Sequence, residues 1–448
     1  AALLAAARED LREVLAAEGH QALFMDPAAT RCGAVETAAE GRRFAAWLDE
    51  HRSRVDGVIV SLPNFGDENG VVAALQDARV PILVQAYPDE LDKLSPAQRR
   101  DAFCGKISIL EMLRQYGIPC TALPPHTVHP RSPRFLEQLD VFDRVCRVVK
   151  GLRRLTVGAI GARTTPFKTV RIDEVALQKA GITVEAFDLS SVIERVRSLK
   201  ADAACRETRQ RLLGATCWQG VPEASLENLV RLRVVLDQMR EEHGLDALAL
   251  RCWMELEEQL GIAPCVVLGD LNNCGITAAC EVDVGNAVAM QALRLAAGAP
   301  AMCLDWNNNY GDDPNRCILF HCGPVAFDLM DGPGRIVDHS MLATAVGPGR
   351  SFGCNQGRIR PMPFTYASVL TADGRLRGYL GQAEFTADPI SESFFGCGGV
   401  ARFDDLQGVL GHIGREGYRH HVSAAPGHTL EAVREAVTTY LGWDVTVL

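Results

Sequence analysis

The sequence predicts an α/β protein with two doubly wound parallel-sheet domains followed by a β-rich C-terminal domain. Two observations predict the parallel sheets: short, continuously apolar runs are bounded by turn residues, and helical periodicity separates one run from the next. A third observation predicts the last domain, because Gly, Pro and short alternating segments dominate from about residue 310. The length of 448 residues exceeds what one ordinary core organises, so several domains are expected.

Strands and helices alternate through the first two predicted domains, residues 1–152 and 153–300. In the first, the predicted strands are Val55–Leu62 and Val80–Ala86, and the predicted helices are 35–52, 67–78 and 105–116. In the second, the predicted strands are Leu155–Ile160, Ile182–Phe187, Ala247–Leu250 and Cys265–Leu268, and the predicted helices are 172–180, 188–213 and 222–243. Neither GxGxxG nor GxxxxGK[ST] occurs, so we expect no nucleotide cofactor.

The third predicted domain, residues 301–448, is expected to form a largely antiparallel sheet or a small barrel. Its predicted strands are Ala301–Leu304, Phe364–Leu370, Leu376–Phe385, Gly399–Phe403 and Tyr418–Val422. A helix over 428–441 and a short strand are expected to close the chain.

Composition excludes several classes of partner. A net charge of −10 argues against binding a nucleic-acid backbone, and no apolar run approaches the roughly 20 residues that span a bilayer. The opening AALLAAARED lacks the features of a signal peptide and predicts a helix, whose first residues we expect to have been trimmed. The 15 Cys contain no C-x-x-C pair, so we interpret most as small buried residues in a reducing cytoplasm.

Three acidic residues are the first candidates for chemistry. Glu281 and Asp283 open an apolar, helix-like run, and Asp305 follows the predicted strand Ala301–Leu304, at the edge where parallel sheets bind ligands. Acidic residues at a helix start often only cap the helix, and Asp283 fits that role best. Glu281 lies in apolar surroundings and needs a partner. Two such carboxylates can hold a divalent cation or move protons.

Histidines complete the candidate metal set. His420 and His421 are adjacent in a strand-like segment, so we expect at most one of them to reach a given pocket. His321 follows an apolar run, where a lone His is more often structural than a ligand. Carboxylates with one or two imidazoles suit Mn²⁺, Mg²⁺, Co²⁺ or Fe²⁺ better than a structural zinc ion.

Polar loops follow the predicted strands at the edge where α/β folds bind ligands. Asn64 lies in NFGDE after the first strand, and Lys106 lies in RRDAFCGK. The loop after Leu155–Ile160 carries Arg163, Lys168 and Arg171. These three cations are suited to an anionic phosphate, carboxylate or sulfonate group, and salt bridges to Asp173 or Glu174 are the alternative. Trp253 completes the candidate substrate-binding residues.

The segment EVDVGNAVAM over Glu281–Met290 fits the motif E-x-D-x-x-N-x-V-A-M, and Asp305 is a second acid 24 positions after Glu281. With NFGDE, GARTTPFKTVRIDE and GYLGQAEF, it resembles the L-fucose isomerase and L-arabinose isomerase superfamily, most closely its divergent fucose isomerase-like members. The resemblance implies that Glu281 and Asp305 bind Mn²⁺ (or Co²⁺ or Mg²⁺) and act in catalysis, with His421 preferred over His420 as the next ligand and His321 as a further one.

The same resemblance implies a cytoplasmic, metal-dependent aldose–ketose isomerase that works through an enediol. Its expected substrate is a pentose, a deoxyhexose or a hexose-type sugar, including acidic or sulfonated ones. We expect a homo-oligomer, a trimer or a hexamer, with active sites at subunit interfaces. Two alternatives remain: a sugar-binding or regulatory protein without catalysis, and a metal-enediolate aldolase or epimerase.

Overall fold

The computed structural model describes residues 2–448, and the chain divides into two compact units. The first unit runs to Lys150 and includes Glu435–Gly442, and the second comprises Gly151–Arg434 and Trp443–Leu448. The predicted three-domain division, with boundaries at 152 and 300, stays a prediction. No helix in the described chain is both long enough and apolar enough to cross a membrane.

The first unit is built on two parallel strands covered by helices. Its strands are β1 (Val58–Leu62) and β2 (Ile82–Ala86), and its helices are α1 (Ala2–Ala17), α2 (Ala38–Glu50), α3 (Glu68–Leu75), α4 (Ala102–Gln115) and α5 (Pro133–Leu152). Every residue of β2 is buried, as expected for an apolar run in a parallel sheet. Both predicted strands and all three predicted helices of this region are confirmed, with ends that move by a few residues.

The second unit begins with a parallel sheet whose strand order is β4-β3-β5-β6. The strands are β3 (Thr156–Ile160), β4 (Thr183–Phe187), β5 (Ala247–Leu250) and β6 (Thr277–Cys280). The helices along this part of the chain are α6 (Glu174–Lys179), α7 (Leu189–Ser198), α8 (Ala203–Ala215), α9 (Glu223–His243), α10 (Glu255–Leu260), α11 (Cys265–Asn273) and α12 (Val284–Ala297). A core of Leu, Ile, Val and Cys side chains lies between this sheet and its helices.

Two predictions for this region are wrong. Cys265–Leu268 was expected to be a strand but forms the start of α11, while β6 supplies the fourth strand. A short apolar run that is buried all round has the same pattern in a strand and in a helix, so periodicity does not distinguish them. The single helix expected over 188–213 is two helices, because the chain leaves helical geometry after Ser198 and Asp202 caps a new helix.

The rest of the second unit is a nine-stranded, mostly antiparallel sheet within the described residues, which confirms the β-rich prediction. Its strands are β7 (Met302–Asn309), β8 (Arg316–His321), β9 (Arg335–Asp338), β10 (Phe352–Arg358), β11 (Met362–Ala372), β12 (Arg375–Phe385), β13 (Cys397–Arg402), β14 (His421–Pro426) and β15 (Asp444–Val447). Three short helices accompany them: α13 (Ser340–Val346), α14 (Leu406–Glu416) and α15 (Leu430–Glu435). An additional β12–β13 pairing closes six of the strands into a ring around an aromatic-rich core.

Helix α12 joins the two sheets of this unit. One part of its surface packs on β5 and β6, and another packs on β11 and β14. Eleven of its 14 residues are buried, which explains why its sequence is apolar nearly all round. The helix therefore brings the carboxyl end of β6 next to β7 and β14, where the candidate site lies.

Candidate active site

Glu281 is aimed by an unusual turn at the carboxyl end of β6. Glu281 and Val282 both have left-handed backbone conformations, with φ of 62° and 59°. This conformation costs roughly 1–2 kcal/mol for an ordinary residue and is least favourable for a β-branched one such as Val282. Strain of this kind is typical of functional sites. Asp283 then caps α12 by accepting a hydrogen bond from the backbone N–H of Asn286, as predicted.

Asp305 does not lie where the sequence analysis expected it. It was predicted to end a strand of a parallel sheet, but it lies inside β7, which runs on to Asn309 in the antiparallel sheet. Its Cα pairs in register with that of His421 on β14, so the two side chains leave the same face of the sheet. Antiparallel pairing, and not a strand end, brings this carboxylate to the site.

Both adjacent histidines reach the same two carboxylates, which contradicts the expectation that at most one would. His421 Nε2 lies 3.5 Å from Glu281 Oε2 and 3.4 Å from Asp305 Oδ1. His420 Nε2 lies 3.7 Å from each of the same oxygens. The alternation rule fails because β14 begins at His421, so His420 lies in the bend before the strand. His421 is fully buried, whereas the His420 side chain is 35% exposed.

A buried ion-pair network fixes the His421 ring through its Nδ1 atom. The Nδ1 atom of His421 contacts Asp283 Oδ2 at 2.8 Å, and the Arg419 guanidinium donates to Asp283 Oδ1. A carboxylate accepts only, so Nδ1 carries the proton and donates it. The Nε2 atom is thereby left free to face Glu281 and Asp305, which is the usual arrangement behind a metal-binding imidazole. The sequence pattern predicts the cap made by Asp283, but it gives no sign of this second role or of the contact with Arg419.

Three buried atoms at the centre of the site have no hydrogen-bond partner among the described residues. They are Glu281 Oε2, Asp305 Oδ1 and His421 Nε2. Leaving such groups unpaired is unfavourable, so they fit a bound cation. Ligands about 2.1 Å from one octahedral ion lie about 3 Å apart, and His421 Nε2 lies nearly that close to each carboxylate, at 3.5 Å from Glu281 and 3.4 Å from Asp305. Two carboxylates and an imidazole are a donor set for Mn²⁺, Co²⁺ or Mg²⁺.

The electrostatics of the site also favour positive charge. Burial by itself lowers the pKa of His421, but the hydrogen bond to Asp283 and the charges of Asp283, Asp305 and Glu281 outweigh it and raise this pKa to about 9. Burial raises the pKa of Asp305 to about 6, although His421 and His420 partly offset it. Acidic groups that stabilise the protonated His421 ring this strongly would also stabilise a divalent cation bound in place of the Nε2 proton, and that proton would be released.

His321 lies next to His421 at the end of β8, and its predicted role as a metal ligand stays a prediction. The two rings are 5.5 Å apart between centroids, and His321 is buried. Atoms of His321, His421 and Cys303 that are able to bind a metal lie within 4.8 Å of one another. Burial, and then the neighbouring rings of His421, His420 and His339, hold the pKa of His321 well below its ordinary range. The ring is therefore neutral.

The cationic loop, residues 163–171 after β3, borders the site through Phe167. The Phe167 ring lies 5.5 Å from that of His420 and 5.3 Å edge-on from Trp253. In the described chain no carboxylate pairs with Arg163, Lys168 or Arg171, so the salt bridges to Asp173 or Glu174 are not formed. The Asp173 carboxylate instead caps α6. Arg163 donates to the carbonyls of Thr164 and Thr165, and Lys168 is exposed.

The remaining candidates, Asn64 and Lys106, lie in the first unit. Asn64 is exposed in the loop that follows β1. Lys106 is only 1% exposed, its Nζ donates to the His126 carbonyl, and burial lowers its pKa to about 8. The loop and α4 touch, because a Cβ on Gly105 would lie 2.0 Å from the Phe65 carbonyl oxygen.

Two stretches of the chain match the models of known protein families. Residues 1–153 match the model of the fucose/sulfoquinovose isomerase N-terminal domain, and residues 319–448 match that of the L-fucose isomerase C-terminal domain. The chain is 25% identical over 303 residues to the sulfoquinovose isomerase of Priestia aryabhattai, covering 67% of this chain and 65% of that protein. It is 23% identical over 285 residues to that of Alkalicoccus urumqiensis, covering 63% of each. The chain thus spans somewhat less than two thirds of these relatives.

Proposed function

Because the chain belongs to the L-fucose isomerase-like family, as a divergent member, we propose that it catalyses the aldose–ketose isomerisation of a sulfonated sugar. The observation that carries this proposal is the convergence of Glu281 Oε2 and Asp305 Oδ1 on His421 Nε2. All three atoms are buried without a hydrogen-bond partner among residues 2–448, and each oxygen lies within 3.5 Å of the nitrogen. Aldose–ketose isomerisation needs a carbon-bound proton moved and a developing oxyanion stabilised.

The three groups are proposed to hold a divalent cation, preferably Mn²⁺. When bound, that cation would polarise the sugar carbonyl and stabilise negative charge on the adjacent oxygens. Asp283 and Arg419 keep His421 oriented, with its Nε2 atom towards the carboxylates. The strained turn at Glu281 and Val282 sets the direction of the Glu281 carboxylate.

Proton transfer is assigned to the carboxylates and to His420. One of Glu281 and Asp305 takes the proton from C2 of the aldose and returns it to C1, since a carboxylate has two oxygens and need not use both for the cation. His420 lies beside both acids with its side chain 35% exposed, and it is assigned the transfer of the hydroxyl proton between the two sugar oxygens.

The cationic loop is proposed to recognise the anionic substituent of the sugar. Arg163, Lys168 and Arg171 are free of carboxylate partners in the described chain, and Phe167 between them contacts the His420 ring. A sulfonate offers three acceptor oxygens and one negative charge, which cations recognise well. The relatives named above are sulfoquinovose isomerases, and this supports the choice of a sulfonated hexose.

Isomerisation of sulfoquinovose, L-fucose and L-arabinose with Mn²⁺, followed by NMR of the products, tests this function. Glu281→Gln should keep the fold and abolish turnover, because an amide neither holds the cation nor accepts the proton. Chelator-treated protein should be inactive and should recover with Mn²⁺ or Co²⁺. Turnover in the presence of excess chelator, or turnover by the Glu281→Gln variant, would contradict the proposed mechanism.

A matched pair of lysine variants tests whether the cationic loop recognises the anionic group of the substrate. Lys168→Met should raise KM for the sulfonated sugar about tenfold and leave that for a neutral sugar nearly unchanged, because one charge-assisted hydrogen bond is lost. Lys200→Met, an exposed lysine of the same unit outside the loop, is the control and should change neither KM. Equal KM values for Lys168→Met and wild type would show that the loop does not bind the anion.

We also propose a homo-oligomer in which the first unit of one subunit completes the site of a neighbour, as the family resemblance implies. Exposed apolar side chains of the first unit support an interface there: Phe65 is 40% exposed, and Phe103 and Ile107, one turn apart on α4, are about half-exposed. Asn64 and the buried Lys106 lie in the same loop and helix.

A further inference from the structure

The two buried imidazoles of the site differ in what their Nδ1 atoms contact. His421 Nδ1 faces the Asp283 carboxylate, which only accepts, so Nδ1 keeps its proton and Nε2 is the nitrogen that can offer a lone pair to a cation. A metal ligand needs such a lone pair, held in place by a hydrogen bond on the other ring nitrogen. His421 therefore has the arrangement of a ligand.

His321 has the opposite arrangement. The backbone amide of Cys322 donates to His321 Nδ1 at 2.8 Å, so this atom accepts and carries no proton. Because an imidazole ring carries at least one N–H proton and Nδ1 has none, the ring proton must be on Nε2. The Nε2 atom is buried and has no hydrogen-bond partner among the described residues. A protonated Nε2 cannot bind a metal ion, but it is an N–H donor in need of an acceptor.

We propose that His321 donates a hydrogen bond from Nε2 to the substrate, at the oxygen that gains negative charge in the enediol, and is not a ligand of the cation. A ring nitrogen of His321 lies within 4.8 Å of one of His421, so the His321 ring lies beside the proposed cation site. This inference rests on the proposed isomerase function. It divides the two buried rings between metal binding and substrate binding.

The donor has the properties expected of a preorganised oxyanion contact. The ring is buried, its Nδ1 is tied to the main chain, and its ring lies beside that of His421 at an angle of 34°. A fixed donor in a site that excludes water is worth more than the same donor in solvent. Removing one such donor lowers kcat by about 100- to 1000-fold in enzymes that stabilise an oxyanion.

Metal affinity separates the two roles without any measurement of activity. Mn²⁺ is titrated into the metal-free forms of wild type, His321→Gln and His421→Gln by calorimetry, and thermal melts check that each variant is folded. We expect His421→Gln to weaken Mn²⁺ binding about 100-fold or more and His321→Gln to change it by less than about threefold. Comparable losses in both variants would make His321 a ligand and overturn the inference.

Turnover tests the donor itself. His321→Leu removes the N–H group and should lower kcat about 100-fold with Mn²⁺ affinity unchanged, whereas His321→Gln keeps an N–H donor and should recover part of kcat. An unchanged kcat in His321→Leu would overturn the donor role. If wild type isomerises no aldose, the donor role falls together with the proposed function, but comparable Mn²⁺ losses overturn the inference alone.

Discussion

Two buried carboxyl groups of the second unit have pKa values shifted in opposite directions, because only one of them has charged partners in the described chain. Burial opposes the charge of Asp283, but Arg419 and His421 outweigh it and hold the pKa of this carboxyl below its usual range. Glu257, on α10, is equally buried, and neither of its carboxylate oxygens has a hydrogen-bond partner within residues 2–448. Burial raises the pKa of Glu257 to about 8, so it is protonated in the folded protein below that pH.

Glu257 should make the protein less stable as the pH rises from 5 to 8. Its pKa is raised on folding from an ordinary value of 4.5 to about 8, so its stabilising contribution is present below the unfolded pKa and is lost as the pH rises through the folded one. Glu257→Gln carries no charge at any pH and should reduce the fall in melting temperature between pH 5 and pH 8.

Glu258→Gln is the control for this pH dependence. Glu258 is the next residue of the same helix but is exposed, so its variant should show the same fall in melting temperature as wild type. If Glu257→Gln falls as steeply as Glu258→Gln between pH 5 and pH 8, the buried Glu257 is ionised in the folded protein and the assignment is wrong.

Helix α12 is the element on which the site depends, because it carries the Asp283 cap at its start and fits closely against Arg419. A Cβ on Gly285 would lie 2.5 Å from the Val369 carbonyl oxygen and 2.7 Å from the Arg419 guanidinium. Neither contact is tolerable, so this helix position accepts no side chain although Gly is a poor helix former. The packing of the network behind His421 outweighs helix propensity here.

Gly285→Ala should therefore destabilise the protein, against its effect on helix propensity. Overpacking costs about 1–3 kcal/mol, while Ala gains about 1 kcal/mol over Gly in a helix interior. The matched control is Gly414→Ala in α14, where a Cβ meets nothing within 4 Å. That variant should be more stable than wild type by up to about 1 kcal/mol. Urea unfolding midpoints measure both, and a stabilised Gly285→Ala would contradict the packing argument.

At the scale of the whole molecule, the candidate residues fall in two units. Glu281, Asp305 and His421 lie in the second unit, and Asn64 and Lys106 lie in the first. Lys106 is buried with only a main-chain acceptor, an unfavourable place for a charge unless a functional partner is supplied. The proposed oligomer supplies one, since the first unit of one subunit would meet the site of another.

Mixing two inactive variants tests the shared site. Lys106→Met and Glu281→Gln, dissociated together and reassembled, should regain part of the activity, because some sites then combine an intact first unit with an intact second unit. Glu281→Gln mixed with His421→Gln is the control and should regain none, since both changes fall in the same unit. No recovery in the first mixture despite proven subunit exchange, or a fully active monomer, would disprove the shared site.

Periodicity and apolar patterning by themselves determined most of the fold. They predicted both parallel sheets and the β-rich end, because a buried strand must be apolar and a turn must be polar whatever the chain packs against. They failed for Cys265–Leu268, where burial on every side removes the period that separates a helix from a strand. Motif spacing, through the family resemblance, singled out Glu281, Asp305 and His421.

Tertiary structure alone decided how those residues come together. Asp305 reaches the site through antiparallel pairing with β14, and both His420 and His421 reach it because the strand begins between them. Asp283, which the sequence shows only as a helix cap, also holds His421 from a position 138 residues away. Such contacts join residues far apart in the chain, and a local sequence pattern does not indicate which partner a buried polar group contacts.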